Sequence, residues 1–539
     1  MSTKAASPTR SVAEAPTWLV LLSTVLAAFA IWIFRYDYSW GSGDQDEFVP
    51  YLLHLLDDSL LSEDWFVGTQ TSQIGVRTFF VWLLRIICVA LPPHLAVAAL
   101  FVASWVAIAI GIDRLVRVLG GGSLASAAAI VVALCLTPKW TLGGNDLVYT
   151  MLVPEMVAWA WALPALLCFF RRRYAFAGVL LGVASWFQPL VGILVAAMLA
   201  LSVILEKRNR NGWRHAIVLS SIAAVLALPV LIPIGLQSLG GDAAADTSPS
   251  ILFILTQFRA PHHYVPSSFS FGSWARVGLL VVVALALAFL RGRRSQTPSQ
   301  PAPGIILLAI ATMCLASWFM TEVIPVDIVV KLQVFKLTVI GKLLLISLIA
   351  TSAESLLYSR SWVRDYRVQW IVAGASAAVF MASILGSILP NTADVLYARL
   401  WSEHSESGLD AWARDSSPLN ALFVVPPSNS SLRSHGQRAI VVNYAAVPFA
   451  PPDMMEWYAR LRTVAPVPQP ATSHSLRLQL DSSYYAQTWS HWSQVADTYG
   501  VDYLVHRSST TDDVPFEVSY RDSAWVVYRL IRSSAAADS

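Results

Sequence analysis

Charged residues are scarce in this sequence: Asp, Glu, Lys and Arg together make up 13% of its 539 residues. Hydrophobic residues account for 56%, far more than a soluble domain of this size needs. Apolar runs of about 20 residues recur through the first 390 positions, and a run of that length matches the hydrocarbon core of a bilayer. The composition therefore predicts a polytopic α-helical membrane protein.

Cysteine is also rare. The four cysteines all lie in hydrophobic segments, at Cys88, Cys135, Cys168 and Cys314. Disulfide bonds and zinc sites are therefore not expected. The formal net charge is only +3, which gives no electrostatic case for a nucleic-acid partner. At the N-terminus, Lys4 and Arg10 precede an apolar run without a small-residue cleavage site after it, so we expect an uncleaved signal anchor.

The hydropathy pattern predicts about eleven spans, with short interfacial helices between some of them. The apolar segments lie at 17–34, 94–112, 123–137, 152–170, 174–205 (two spans), 215–237, 274–290, 304–320, 330–351 and 368–389. The positive-inside rule puts the five Lys/Arg clusters in the cytoplasm if segment 76–91 lies along the outer interface. It also requires that 174–205 forms a helical hairpin that turns near Gln188. The N-terminus is then cytoplasmic, and the first outer loop covers about 35–93.

The composition changes after about residue 390. Four short β-like runs appear, at 421–425, 439–442, 503–505 and 525–530, separated by Pro, Ser and Asp. Helix-like stretches lie between them, at 454–463 and 491–499. These patterns predict a transmembrane domain at 1–390 and a small extracytoplasmic α/β domain at 391–539.

The first outer loop begins with the acids Asp44, Asp46 and Glu47. Carboxylates at a membrane surface can serve as general bases for an acceptor hydroxyl. Their oxygens are also the ligands that Mg²⁺ and Mn²⁺ prefer, so Asp44 and Asp46 are candidate metal ligands. The alternative is that these acids, and Asp64 further along the loop, are merely solvated.

Candidate phosphate-binding residues occur in a later outer loop, at Arg259, His262 and His263. Arginine binds phosphate through two parallel N–H groups, and histidine adds a donor. Lys336 and Gln333 lie at the outer start of the tenth span. A lysine that enters hydrocarbon is costly, and this suggests a partnership with a lipid phosphate.

Two further polar residues are candidates for contact with substrate. Glu322 begins the loop before the tenth span and could pair with one of its lysines. Gln188 lies at the turn of the predicted hairpin, below the outer surface, where it needs a polar partner such as a substrate. The acids of the loop at 137–155, Asp146 and Glu155, are more simply explained as structural, as is Asn145.

The acidic motif at the start of the first loop, the helical hairpin and Lys336 together resemble the GT-C superfamily of membrane glycosyltransferases, and in particular its uncharacterised bacterial members. Further matching sequences lie in the tail, at Val425-Pro426-Pro427, Pro448-Phe449 and Glu456-Trp457-Tyr458-Ala459-Arg460. The tail has no Trp-Trp-Asp motif of the oligosaccharyltransferases, so the expected acceptor is a glycan or a lipid rather than a peptide.

The resemblance implies a bacterial inner-membrane enzyme that takes a sugar from a polyprenyl-phosphate lipid and transfers it with inversion. In this scheme Asp44 or Asp46, with Glu47 beside them, deprotonates the acceptor. The lipid phosphate is held by Arg259, His262, His263 and Lys336. A polytopic transporter or flippase is the main alternative. A polysaccharide polymerase or ligase and a non-catalytic glycan-lipid binder also remain open.

Overall fold

The structure is a computed structural model that describes residues 17–206, 211–240, 249–294, 302–357, 407–467, 473–508 and 514–530, together with Gly374. The last predicted span (apart from Gly374) and the predicted domain boundary at 390/391 lie outside these residues. The described chain has two parts, a helical membrane part and a C-terminal α/β part.

The described residues of the membrane part form helices joined by turns and loops, without strands. Its helices are α1 (Thr17–Tyr36), α2 (Val49–Leu56), α3 (Trp65–Ser72), α4 (Thr78–Ile87), α5 (Pro93–Val118), α6 (Ser123–Val131), α7 (Pro154–Phe170), α8 (Tyr174–Phe187), α9 (Pro189–Leu205), α10 (Gly212–Gly240), α11 (Ile251–Phe253), α12 (Pro261–Tyr264), α13 (Phe271–Arg294), α14 (Ala302–Trp318), α15 (Asp327–Lys331) and α16 (Thr338–Leu357). Within the described residues, six helical stretches are long and apolar enough to cross a membrane: α1, α5, α10, α13, Ala302–Val323 (α14 and the helical turn after it) and Asp327–Leu357 (from α15 through α16). A multi-pass membrane protein is thereby confirmed.

Two predictions about individual segments agree with the structure. Helix α4 has 10 residues, about 15 Å at 1.5 Å per residue, so it is too short to cross a bilayer. The segment 174–205 does form a hairpin, with arms of 14 and 17 residues that meet at Gln188. Pro189 begins the second arm, where the missing N–H of proline costs no helical hydrogen bond.

Glycines on the first arm of the hairpin bring α8 close to α10. A Cβ atom on Gly182 would lie 2.5 Å from the Cβ of Leu226, and one on Gly178 would lie 2.6 Å from the carbonyl of Leu219. Helix pairs in membranes associate mainly through such close packing, because lipid tails are as apolar as the side chains. A larger residue at either position would push the two helices apart.

The C-terminal part contains a five-stranded mixed sheet. Its elements are α17 (Gly408–Ser416), β1 (Leu422–Val424), β2 (Ala439–Ile440), α18 (Pro451–Val464), α19 (Ser473–Tyr485), α20 (Trp489–Tyr499), β3 (Tyr503–Arg507), β4 (Glu517–Arg521) and β5 (Trp525–Arg529). The strand order is β2-β1-β3-β5-β4. Strand β1 runs parallel to β2 and β3, whereas β5 is antiparallel to β3 and β4. All four predicted strands are present; β4 was missed because its short, largely exposed sequence begins and ends with charged residues.

The two parts share one hydrophobic cluster. Phe258 of the membrane part packs edge-on against Tyr458 and Trp457, with ring centroids 4.9 and 6.1 Å apart. Ile254 is buried in the same cluster, and Trp65 at the start of α3 packs against it. The C-terminal part is therefore docked on the first loop and on the segment that precedes α12.

Two buried ion pairs attach the loop at 137–155 to the start of α16. The Nζ atom of Lys342 lies 2.7 Å from a carboxylate oxygen of Asp146 and 2.7 Å from the Thr137 carbonyl. The Nζ atom of Lys336 lies 2.7 Å from Glu155. All four charged side chains are at most 9% exposed. Lys342, to which the sequence assigned no role, is thus a structural cation.

We expect Lys342→Met to destabilise the membrane part by about 3–5 kcal/mol, because it leaves the buried carboxylate of Asp146 without its counter-ion. The measurement is the thermal unfolding midpoint of the purified protein in detergent. Lys342→Met combined with Asp146→Asn removes both charges and should recover part of the loss. If the effects of the two single changes simply add in the double variant, the two groups do not interact.

Candidate functional site

The three acids of the first loop occupy a short 3-10 turn, Gly43–Glu47, that follows α1. Their side chains have different surroundings. Asp44 is exposed, Asp46 is fully buried and Glu47 is largely buried. Between them, Gln45 anchors the turn, since its side chain accepts a 2.7 Å hydrogen bond from the Gly41 N–H. The acidic motif is therefore not one cluster of equivalent carboxylates.

Asp46 belongs to the interface with the C-terminal part. Its Oδ2 atom accepts hydrogen bonds from Arg433 Nη1 at 3.3 Å and from Asn443 Nδ2 at 2.5 Å. Burial raises the pKa of Asp46 to about 6, although Arg433 and Asn443 oppose the shift. Asp64, also buried, accepts a 2.7 Å hydrogen bond from Arg433 Nε. Asp46 thus lies against an arginine inside the interface. A general base would instead face the open space where a substrate binds.

Glu47 is paired as well. The Nε atom of Arg77 donates a 3.0 Å hydrogen bond to its carboxylate. Burial raises the pKa of Glu47, and the positive charge of Arg77 opposes the rise. Asp44 is the one member of the motif whose carboxylate is exposed.

The donor set does not fit a cation shared by Asp44 and Asp46. A metal bound to Asp46 would lie beside the guanidinium of Arg433, whose charge repels it. Within the described ranges, no group of three or more His, Cys, Asp or Glu side chains is arranged to hold a metal ion. The surroundings of Asp46 therefore do not favour the expected Mg²⁺ or Mn²⁺ site at Asp44 and Asp46, which stays a prediction.

The first of the predicted phosphate-binding residues, Arg259, lies at the interface with the C-terminal part. Arg259 donates to the Ala445 carbonyl at 3.1 Å, and its guanidinium lies 4.7 Å from the ring centre of Tyr444. Its Nε atom is buried without a hydrogen-bond partner among the described residues. Arg259 therefore spans the interface but retains donor capacity.

The adjacent histidines differ in environment. The ring centre of His263 lies 4.2 Å from that of His262, with the two ring planes tilted by 43°, and the Nδ1 atom of His263 lies 2.5 Å from the Gly143 carbonyl. A carbonyl only accepts, so Nδ1 carries the ring proton. Burial, with the nearby charges of His262 and Lys336, lowers the pKa of His263 to about 3. His263 is therefore neutral at physiological pH.

The ring of His262 is exposed and lies within electrostatic reach of Asp44, Arg259 and Lys139. Partial burial, Arg259 and Lys139 lower the pKa of His262, and Asp44 opposes them. Lys139 is an exposed cation that was not among the site residues predicted from the sequence. The available signal was its position between Pro138 and Trp140, at the start of an outer loop.

The four remaining candidate residues lie in different environments; they are Lys336, Gln333, Glu322 and Gln188. Lys336 is buried and occupied by Glu155 and Asn145, with Nζ 2.7 Å from each. Gln333 hydrogen-bonds Tyr264, next to His263. Glu322 does not pair with Lys336; its carboxylate accepts from the Ser267 N–H at 2.6 Å.

Gln188 occupies the N-cap position of the second arm of the hairpin, without a side-chain capping hydrogen bond, and is partly buried. In the described part of the chain, no hydrogen bond connects its side chain to the groups above. The hairpin still contributes to the site indirectly, because α9 packs against the turn Val334–Leu337 that carries Lys336.

The geometry combines one exposed carboxylate with an exposed imidazole, a lysine and a partly satisfied arginine. Asp44 approaches the site from the first loop, and His262 and Lys139 approach from two other loops. Such an arrangement can accept a proton on one side and stabilise an anionic group on the other. The C-terminal part covers the same region through Tyr444 and Arg433.

Comparisons with solved structures identify the fold. The oligosaccharyltransferase of Archaeoglobus fulgidus, tethered with an acceptor peptide containing the NVT sequon, has 12% sequence identity and a TM-score of 0.50, over 91% of this chain and 69% of that chain. The fold is of the GT-C type, as predicted. Another structure of the Archaeoglobus enzyme, with an inhibitory peptide and a dolichol-phosphate, has 11% identity and a TM-score of 0.47 over 91% and 69% of the two chains. ArnT from Cupriavidus metallidurans in the apo state has 14% identity and a TM-score of 0.48 over 95% and 97%.

Sequence comparisons add less. A family model described as a domain of unknown function (DUF6798) matches residues 405–464. This segment covers α17, β1, β2 and α18, and it contains both Arg433 and Asn443. No curated protein matches the sequence significantly.

The neutral His263 predicts a specific pH dependence of stability. Its pKa is near 6.5 in the unfolded chain and about 3 in the folded protein, so between these values only the unfolded chain takes up the proton. The contribution of His263 is therefore complete above pH 6.5 and is lost as the pH falls toward 3. We expect the thermal midpoint of His263→Gln to fall less between pH 7 and pH 4.5 than that of the wild type. Parallel falls in both proteins would contradict a neutral buried His263.

Proposed function

We propose that this protein is an integral-membrane glycosyltransferase that moves a sugar from a polyprenyl-phosphate lipid to an acceptor outside the cytoplasm. The observation that carries the proposal is the exposed Asp44 within electrostatic reach of the exposed His262, on which the charges of Lys139 and Arg259 also act. The GT-C-type fold supports it, because a solved structure with a similar fold is that of an oligosaccharyltransferase, tethered with an acceptor peptide. For this chain the expected acceptor is a glycan or a lipid.

The proposed reaction is a single displacement at the anomeric carbon of the sugar. The carboxylate of Asp44 accepts the proton of an acceptor hydroxyl, and the hydroxyl oxygen forms a bond to the anomeric carbon. The bond from that carbon to the phosphate oxygen breaks on the opposite face, and the lipid phosphate leaves with the electron pair. The configuration at the anomeric carbon is thereby inverted.

Cationic and donor groups stabilise the departing phosphate. Lys139 and His262 are exposed and within electrostatic reach of each other, and Arg259 has a buried Nε atom without a partner in the described residues. Preorganised donors of this kind act where charge develops in the transition state. Lys336 has a different role in this proposal: its ammonium is enclosed by Glu155 and Asn145, so it holds the loop at 137–155 in position.

The same proposal gives an orientation in the membrane. The Lys/Arg clusters between spans favour a cytoplasmic N-terminus, and they leave the first loop and the C-terminal part on the extracytoplasmic side of a bacterial inner membrane. Polyprenyl-phosphate donors would then enter the site laterally from the lipid, while the acceptor would arrive from the aqueous side or from the membrane surface.

Asp44→Asn should reduce transfer by about 100-fold or more, since removing a general base costs roughly 10²- to 10⁴-fold. The assay is sugar transfer by the detergent-purified protein, combined with native mass spectrometry for co-purified polyprenyl-phosphate lipid. The variant should still bind the donor, because Asp44 does not contact the phosphate in this scheme. Asp58→Asn, which changes another exposed acid of the same loop, is the matched control and should transfer at the wild-type rate.

Wild-type transfer in Asp44→Asn would refute its role as base. A wild-type protein that holds only bulk phospholipid and has no transferase activity would refute the proposed function. Lipid or glycan flux across proteoliposomes would then be the assay for the transporter alternative.

Lys139→Gln should raise the KM for the lipid donor about 10-fold, because it removes one charge-assisted contact to phosphate, worth about 1.5 kcal/mol. The KM for the acceptor should not change. The measurement is initial-rate kinetics with each substrate varied in turn. Lys331→Gln, which changes an exposed lysine at the end of α15, is the control; equal effects of the two variants would argue for general surface attraction.

A further inference from the structure

The segment matched by the domain of unknown function contacts the acidic turn at several points. The hydroxyl oxygen of Ser430 accepts a 3.2 Å hydrogen bond from the Gly43 N–H. Arg433 and Asn443 bind Asp46 at the other end of the turn. The matched segment therefore contacts the turn both before and after Asp44 in the sequence.

Arg433 is the centre of this contact. Its side chain is 1% exposed, and it bridges the carboxylates of Asp46 and Asp64, which are each 0% exposed. Its guanidinium also lies 5.1 Å from the ring centre of Phe66. A buried ion triad of this kind adds little stability relative to apolar packing of the same shape. What it does supply is a fixed geometry, because a planar guanidinium can satisfy both carboxylates in few orientations.

The backbone before the turn is fitted to the same segment. Gly41 has φ +66°, and a Cβ atom there would lie 2.4 Å from His435 Nε2. That ring nitrogen lies 3.1 Å from the Trp40 carbonyl. Only glycine permits both the backbone angle and the close approach of His435. The fit extends over residues 40–46 and does not depend on Arg433 alone.

We propose that residues 407–464 of the matched segment form a clamp that positions the acidic turn, and that Arg433 is its principal positioning residue. By holding Asp46 inward, the clamp directs Asp44 outward to the substrates. This inference rests on the proposed role of Asp44 as base. Arg433 itself does not touch the substrate; it acts through the turn, so the active site is complete only when the C-terminal part is docked.

The test combines hydrogen–deuterium exchange and kinetics on the full-length protein. We expect Arg433→Met to increase exchange in a peptide covering 41–48. It should lower kcat about 10- to 100-fold, since misplacing a reacting group by about 1 Å costs this much. The KM for the lipid donor should stay within about twofold, because the phosphate-binding residues are on other loops. Arg433→Lys, which can pair with one carboxylate but not bridge both, should give intermediate values of kcat and exchange.

The matched control is Arg460→Met. Arg460 lies across the same interface, 4.5 Å from the ring centre of Trp65, but does not contact the turn. It should alter exchange near 65–72 and leave both 41–48 and kcat unchanged. If Arg433→Met does not fold, Ser430→Ala is the milder variant, and the same increase in exchange at 41–48 is expected.

Wild-type exchange at 41–48 in the Arg433 or Ser430 variant would overturn the clamp. Equal effects of Arg433→Met and Arg460→Met would overturn it too, since they would indicate general undocking. Failure of the proposed function is recognised separately, by wild-type transfer in Asp44→Asn, and the exchange measurement decides the clamp whichever way that assay turns out.

Discussion

The arrangement of the candidate site depends on the pairing of Arg433 with two buried carboxylates across the interface between the two parts of the chain. Removing Asp46 or Asp64 from water without a counter-ion would cost several kcal/mol for each charge. The arginine offsets this cost only when the C-terminal part is docked in the orientation that brings Arg433 between the two carboxylates. Docking and the direction of the acidic turn are therefore coupled through one side chain.

A second set of buried charges positions the loop at 137–155. Lys336 and Lys342 lie about two turns apart and bind Glu155 and Asp146 of the loop at 137–155. This loop carries Lys139, and the carbonyl of its Gly143 fixes the ring of His263. Lys336 and Lys342 thus affect the site indirectly, through the position of this loop. They hold the loop that carries Lys139, and the ammonium group of each is paired with a buried carboxylate.

The sequence predicted the architecture well and the pairing of charges poorly. Hydropathy and helix-breaking residues are local signals, so the hairpin at Gln188, the short α4 and four of the five strands could be read directly. The motif of three acids was correctly placed at the start of the first loop, but a 3-10 turn directs successive side chains to different sides, and spacing alone does not reveal which one remains exposed. The partner of Asp46 is 387 residues away, and that of Lys336 is 181 residues away. Such pairs are fixed by tertiary packing, for which a single sequence carries no local pattern.

The distribution of partners explains why a motif of three acids would contain a single base. Protonation of a carboxylate that is paired with an arginine inside a buried interface removes the charge attraction that offsets the burial of that arginine. Asp46 and Glu47 both have such arginines, Arg433 and Arg77. Asp44 is exposed and can meet an incoming hydroxyl without displacing a cation. The two paired acids therefore position the third: their ion pairs fix the C-terminal end of the turn, and the carboxylate of Asp44, which precedes them, stays exposed to solvent.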